Sequence, residues 1–474
     1  MGSGHGGETE AGLACEARTL CRSIAKGELS PVTAMKQTLA RLAVTEPRLN
    51  AFSAMDPDLA MDQARSVERQ LASDGPSGPL AGLPVSVKDV LPVAGLPLRF
   101  GSRTTADERM HEDAVLVQRL RGAGACIVGK TTTSEYGAKA VGDCPLTGIT
   151  RNPWNLERTP GGSSAGAGAS VAAGVTAVAI GTDGAGSVRI PAALNSLFGI
   201  KPQFGRIPFY PLAAADNLVH PGIISRTVRD AAFILENLAG FDRHDPNSLR
   251  QPVPALVSAC DQPLKGMRVA WSPTLGYARP DPEVLALCER AIASFGALGV
   301  KATTVRKVMA DPVDIWALEF YGALAKALRK PLREMPEMLD PSLLPMLEWA
   351  VSRSAADYQR SLGRRKHLRE RMRSFFRDFD LLLTPTLPVA AFEVGQDQPP
   401  GWANTNPMAW VSYTYPFNLT GQPAASIPCG FTGEGLPVGL QLVARDHDEP
   451  TLFRAAAAFE AAQPWSDILP AGFR

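Results

Sequence analysis

The chain has 474 residues, 45% of them apolar and 20% charged, with a formal net charge of +1. That composition is expected of a water-soluble globular protein, and the near-neutral charge removes the electrostatic case for nucleic acid or an anionic membrane. No apolar run approaches the roughly 20 residues of a membrane span; the most apolar one, Ala167 to Ile180, is rich in Ala and Gly and reads as buried core.

The N-terminus has no basic region followed by an apolar one, so no secretory leader is expected. Residues 9–72 read as helices, with Ser30 as N-cap, Pro31 at the first helical position, and Val32, Met35, Leu39 and Leu42 at helical spacing. Beyond Pro76 the pattern changes to short apolar runs broken by Gly and Pro. Val85–Val87 and Cys126–Val128 read as strands around a helix at 114–121, an alternation that indicates an α/β layer structure. Residues 255–380 return to helix, apart from a strand near 267–271, and the Arg-rich stretch 353–379 reads as a solvated helix face. Strands reappear at Leu381–Leu383, Ala425–Pro428 and Leu440–Val443. No internal repeat and no clear linker interrupts the chain.

Seven cysteines (Cys15, Cys21, Cys126, Cys144, Cys260, Cys288 and Cys429) are odd in number and form no CxxC pair. Free thiols in a reducing cytoplasm are therefore expected, rather than a disulfide framework or a zinc site.

Three enzyme classes can be matched to the glycine-rich segments. Gly124 to Thr131 satisfies the P-loop pattern GxxxxGK[ST], but its middle residues, Ala-Cys-Ile-Val, suit a strand and not a phosphate-wrapping loop. Gly162 to Gly166 satisfies GxSxG around Ser164, but a nucleophile elbow needs a strand just before the serine, and 157–161 is Glu-Arg-Thr-Pro-Gly. It also needs a histidine. The six present (His5, His111, His220, His244, His367 and His447) lie in no distinctive context.

The third match uses three segments together: Val85-Ser-Val-Lys88-Asp89, Thr159-Pro-Gly-Gly-Ser163-Ser164-Ala-Gly166, and Gly181-Thr-Asp183-Gly-Ala-Gly-Ser187-Val-Arg189-Ile-Pro191. They resemble the amidase signature family, whose pattern is a strand ending in Lys-Asp, then GGSSGG, then GTDxGGSxRxP. The resemblance extends to Gly129-Lys-Thr with Glu135-Tyr136, Arg151-Asn-Pro-Trp154, Gly199-Ile-Lys-Pro202 and Gly421 to Gln441, and is weakest over 285–380.

The resemblance implies a single α/β/α unit over residues 1–474, built on a large twisted, mostly parallel mixed sheet. Residues 65–240 and 380–474 would supply the sheet and site, with helices from 1–64 and 240–380 around them. It implies that Lys88 is the base, that Ser163, after a cis peptide from Gly162, relays the proton, and that Ser187 attacks. The N–H groups of Gly184, Ala185, Gly186 and Ser187 would form the oxyanion hole. Ala165 and Ala185 stand where the family usually has Gly.

The chemistry agrees with these residue types. An amide needs an activated nucleophile, an oxyanion site and an acid for the leaving amine. Without a histidine, a lysine serves as base if burial makes it neutral near working pH. Lys88 follows an apolar strand. Ser164 is expected to hydrogen-bond the site or cap the next helix, Asp183 and Arg189 to form a structural ion pair, and Asp89 to shape the surroundings of Lys88. Tyr136, Gly137, Asp143 and Cys144 are expected at the site entrance. Within 402–417, Trp402, Trp410, Tyr413, Tyr415 and Phe417 offer either an apolar substrate clamp or core packing. The expected partner is a small amide or carbamate, with no nucleic acid, no membrane and no metal or organic cofactor, and the chain acts as monomer or homodimer. Aryl amides and urethanes are favoured over glutamine; the alternatives are the glutaminase component of a tRNA-dependent amidotransferase and, further off, an esterase or a non-catalytic binding protein.

Overall fold

Among the described residues, apolar runs bounded by Gly and Pro supply most of thirteen strands: β1 (Phe52–Met55), β2 (Pro84–Lys88), β3 (Cys126–Thr131), β4 (Asp143–Cys144), β5 (Gly148–Ile149), β6 (Val178–Asp183), β7 (Phe198–Lys201), β8 (His220–Ser225), β9 (Val269–Trp271), β10 (Ala302–Thr304), β11 (Leu381–Pro385), β12 (Ala424–Phe431) and β13 (Pro437–Ala444). They belong to a computed structural model that describes residues 16–73, 78–402 and 406–474. His5, Cys15 and the start of the expected N-terminal helical stretch lie outside these residues.

Eleven strands form one sheet in the order β1-β3-β2-β6-β8-β7-β12-β13-β11-β9-β10, and β4 and β5 pair separately. The sheet is mixed, as expected, but not mostly parallel: β2 runs parallel to β3 and β6, and β9 to β10 and β11, whereas the other neighbours are antiparallel. The regions expected to be helical contribute beyond the one strand expected near 267–271, which is β9. Phe52–Met55 pairs with β3 at one edge, and β9 and β10 complete the other. Strands this short carry too little periodicity to stand out between helices.

The period of two along each strand sorts side chains to opposite faces. Val85, Val87 and Ile180 face a cluster with helices Val115–Gly122, Val228–Leu238, Pro282–Ala297 and Glu449–Ala462. Ala179 and Ile224 face the other way, against Ala167 and Val171 of helix Ala165–Ala172 and Ala192 of helix Arg189–Leu194. Ser86 and Lys88 alternate with Val85 and Val87. The pleat therefore turns Lys88 toward the face that holds the serine-bearing segments.

Ser30 accepts the Thr33 N–H at 3.0 Å and Pro31 opens helix Pro31–Leu49. The Arg-rich helix Ala355–Asp378 starts at a capping box on Ser354. Its face is not wholly solvated: Arg365 is buried and pairs with buried Glu319 at 2.6 Å.

Helix Ala165–Ala172 lies flush on its neighbours because its residues are small. At Gly166 a β-carbon would stand 2.0 Å from the Ala51 carbonyl oxygen and 2.6 Å from the Thr132 amide nitrogen. Backbone at both contacts cannot yield cheaply, so Gly166→Ala is expected to destabilise the fold by ~2 kcal/mol, read as a lower denaturation midpoint at unchanged m-value.

Candidate active site

Because β2 and β6 are parallel neighbours, with Val87 beside Ile180, their carboxyl ends open onto one edge of the sheet. Crevices outside the carboxyl ends of strands are where open α/β sheets bind ligands. Lys88 is the last residue of β2, and Asp183 ends β6 immediately before the Gly184–Val188 turn. The Gly161–Ser164 loop closes the third side, and the Ser164 N–H donates to the Ser187 carbonyl at 3.2 Å. Three segments far apart in sequence thus bring Lys88, Ser163 and Ser187 together.

The Lys88 ammonium group is fully buried. Its Nζ lies 2.7 Å from Ser163 Oγ, 3.0 Å from Thr182 Oγ1 and 3.4 Å from the Thr182 carbonyl oxygen. Burial lowers its pKa from the ordinary 10.5 to about 7, against a smaller opposing pull from Asp183. Near neutral pH the amine therefore keeps two N–H groups for Thr182 and can turn its lone pair to the Ser163 hydroxyl. The Gly162–Ser163 peptide is cis.

Asp183 and Arg189 form a fully buried, two-pronged ion pair, with contacts of 2.8 and 3.0 Å. Burial alone would raise the Asp183 pKa, but Arg189, Asn418 and Lys201 outweigh it and hold the carboxyl well below its usual range. Arg189 also donates to the Thr414 carbonyl, Gln441 Oε1 and Asn418 Oδ1. This brace defines the Gly184–Val188 turn, because Asp183 accepts the Gly186 N–H at 2.7 Å and the Val188 N–H at 3.3 Å. The Gly186 N–H is therefore engaged by a carboxylate and drops out of the expected oxyanion set, which leaves Gly184, Ala185 and Ser187. Ala185 sits in the turn without a positive φ, and its carbonyl accepts from Thr414 Oγ1 at 2.5 Å.

Ser164 precedes helix Ala165–Ala172 but does not cap it; its hydroxyl donates to the Thr182 carbonyl at 3.2 Å. Asp89 accepts from Lys130 at 2.8 Å, with both side chains fully buried. Lys130 and Thr131 lie within β3, so the segment that matched a P-loop is strand and offers no phosphate loop.

The residues expected at the entrance and those offered as a clamp separate into two groups. Tyr136 is half-buried at φ 51° and donates or accepts at Thr104 Oγ1, 2.6 Å away. Gly137 borders Ser163: a β-carbon there would lie 3.2 Å from Ser163 Oγ. Cys144 is buried, with Sγ 3.0 Å from Thr147 Oγ1. Trp410 and Tyr413 do not line an opening. Trp410 packs edge-on against Phe392, and the Tyr413 hydroxyl donates to the Pro273 carbonyl at 2.6 Å. Both have no exposed surface, as have Tyr415 and Phe417, so core packing is what this aromatic stretch does.

Other neighbours carried no sequence signal. Trp316 of helix Val313–Ala327 donates its indole N–H to the Gly184 carbonyl at 2.7 Å, and Phe320 and Val219 flank Gly184. Thr182 was legible as part of the Gly-Thr-Asp motif, but its contact with Lys88 was not. Among the described residues no group of three or more His, Cys, Asp or Glu is placed to hold a metal ion, and no helix is long and apolar enough to cross a membrane.

Known proteins resemble this chain over most of its length. The Amidase family model matches residues 33–453. An acylamidase of Rhodococcus erythropolis is 38% identical over 463 residues, covering 96% of this chain and 97% of that protein. A glutamyl-tRNA(Gln) amidotransferase component of Moorella thermoacetica is 36% identical, covering 91% of this chain and 93% of that protein. A bacterial aryl acylamidase of the amidase signature family superposes with a TM-score of 0.89 at 31% identity, over 95% of this chain and 97% of that one. A 6-aminohexanoate cyclic dimer hydrolase with bound substrate superposes equally well, at 0.89 and 28% identity, over 98% and 100%. With its sheet, its serine loops and its relatives in agreement, the chain belongs to the amidase signature family and is an amide-hydrolysing enzyme.

Proposed function

We propose that the chain is a stand-alone hydrolase of amides, anilides or carbamates that works through a Ser187 acyl-enzyme. The observation that carries this reading is the 2.7 Å contact between a fully buried Lys88 and Ser163. Neutral Lys88 takes the Ser163 proton while Ser163 takes that of Ser187. Ser187 Oγ adds to the substrate carbonyl, and the N–H groups of Gly184, Ala185 and Ser187 receive the oxyanion. Collapse expels the amine, which leaves with the proton returned through Ser163. Water then cleaves the ester by the same relay in reverse. Asp183 and Arg189 touch no reacting atom; they hold the turn that presents these N–H groups.

Support for an apolar substrate comes from Phe320 and Val219 beside Gly184 and from the likeness to the acylamidases. The second reading, the glutaminase component of a tRNA-dependent amidotransferase, is favoured by relatives of nearly equal identity. The deciding experiment offers p-nitroacetanilide, an aryl carbamate, a primary aliphatic amide and glutamine to the purified chain alone. Ser187-dependent turnover of the anilide or carbamate is expected. Turnover of glutamine only, or silence until the other amidotransferase components are added, would transfer the assignment to that complex. His447→Ala is expected to leave turnover unchanged; its loss would reinstate a histidine-based esterase.

A further inference from the structure

Lys139 lies two residues beyond Gly137 and is held by three carboxylates from three parts of the chain. Its Nζ is 2.8 Å from Asp143, 2.8 Å from Asp340 and 2.8 Å from Asp397. Burial disfavours its charge, but Asp143 and Asp340 more than offset this and keep the ammonium protonated. Asp143 belongs to the same loop, Asp340 to the helical region over the sheet, and Asp397 to the segment after β11. Further bonds tie these pieces together. Glu135 accepts the Asp340 N–H at 2.6 Å and the Ser102 hydroxyl at 2.6 Å. Ser134 Oγ closes the loop on the Lys139 N–H and carbonyl at 3.1 and 3.0 Å, and the Tyr321 hydroxyl donates to the Ala138 carbonyl at 3.2 Å.

Between these pieces lies a cavity of about 160 Å³. Ala138, Tyr321, Leu343, Met346 and Met408 give it apolar surface, and Lys139, Ser342, Asp397 and Gln398 line it with polar groups. A cavity of roughly 150 Å³ is large enough for a benzene-sized group. The cavity wall begins at the residue after Gly137, whose own backbone borders Ser163.

We propose that Lys139 is a positioning residue that, through Asp143, Asp340 and Asp397, joins the walls of a subsite for an uncharged aryl or short alkyl group of the substrate. The inference rests on the reading of Ser187 as the reacting centre. The ammonium does not touch the substrate. It neutralises one of three converging carboxylates and holds the loop, the helical cover and the 397 segment at fixed spacing. Without it, the like charges repel and the walls separate. The acidic excess left around the bound lysine also disfavours a substrate carrying a carboxylate, which is the feature that distinguishes glutamine from an anilide.

The test compares Lys139→Met, Lys139→Arg and Asp397→Asn with the parent chain. Turnover is measured on p-nitroacetanilide, whose aryl group the proposal assigns to the cavity, and on acetamide, which has no such group. For Lys139→Met the KM for the anilide is expected to rise about tenfold or more with kcat within about threefold, while acetamide kcat/KM stays within about twofold. Lys139→Arg restores the anilide KM, because a guanidinium can still bridge the carboxylates. Asp397 is partly exposed, so Asp397→Asn folds and raises the anilide KM by a smaller factor; it decides the matter if Lys139→Met does not fold. Equal losses on both substrates, or an unchanged anilide KM, would overturn the proposal. Equilibrium binding of p-nitroacetanilide to a Ser187→Ala chain separates the two readings. Binding without turnover in the parent removes the Ser187 chemistry and leaves the subsite, whereas absence of binding removes the subsite.

Discussion

Ser187→Ala is expected to reduce turnover by at least about 10⁴-fold while leaving the fold intact, because the hydroxyl it removes is the atom that bonds to the substrate. The substitution is close to silent structurally. Ser187 is 6% exposed, its carbonyl still accepts from the Ser164 N–H, and the turn stays pinned by Asp183 and Arg189. The measurement is initial-rate release of p-nitroaniline beside a thermal melt. A melt within a degree or two of the parent with no turnover supports Ser187 as nucleophile. Retained turnover would move the reaction to another residue, with Ser164 next in line by position. Ser164 is expected to fail that test, because its hydroxyl is committed to the Thr182 carbonyl.

The second large effect is at Lys88. Lys88→Met keeps the length and apolar bulk of the side chain and removes the amine, so turnover is expected to fall about 10³-fold or more. The pH profile of the parent follows from the same group. Its pKa is lowered to about 7, and the neutral form is the base, so activity rises through about pH 7 and levels above it. Stability moves in the same direction. Between about pH 7 and the ordinary 10.5 the unfolded chain keeps a proton on this lysine that the folded chain has released. The unfolded state then binds more protons, so this group makes folding more favourable as pH rises across that window. Lys88→Met removes this dependence and the cost of burying the amine. It is expected to melt no lower than the parent at pH 7 while being inactive. A flat activity profile down to acidic pH would exclude Lys88 as the base.

The apolar strand Val85–Val87 led to the expectation that Lys88 is buried; the face it occupies, opposite Val85 and Val87, follows from the period of two once the strand is in the sheet. The run Cys126–Val128 was recognisable as strand from its apolar residues, and this disposed of the phosphate-loop match. Short edge strands were a different matter. Phe52–Met55 and Ala302–Thr304 have four and three residues, and their identity as strands comes from the partners β3 and β9, not from their own pattern. The antiparallel majority of the sheet was likewise hidden, since strand direction depends on which neighbours the connections deliver.

Within the site, local chemistry was legible and long-range chemistry was not. The residue types, their order and the spacing from Ser163 to Ser187 carry the resemblance to the amidase signature family, and that resemblance implies a serine–serine–lysine centre. That Lys88 would be buried followed from the strand before it. That the Gly186 N–H would be taken by Asp183 did not, because a motif lists donors without saying which acceptor faces them. The aromatic run 410–417 has the composition of a clamp and the position of a core, and only burial distinguishes the two. Trp316 reaches Gly184 across 132 residues, and Lys139 reaches Asp340 and Asp397 across more than 200. By itself, the sequence of this protein determined the reaction class and the three residues proposed to carry it, through motifs that resemble those of the amidase signature family and are each a local run of residues. The tertiary structure alone decided which N–H groups remain available, which aromatic rings are core, and which ion pairs shape the pocket, since each depends on contacts between segments that only folding brings together.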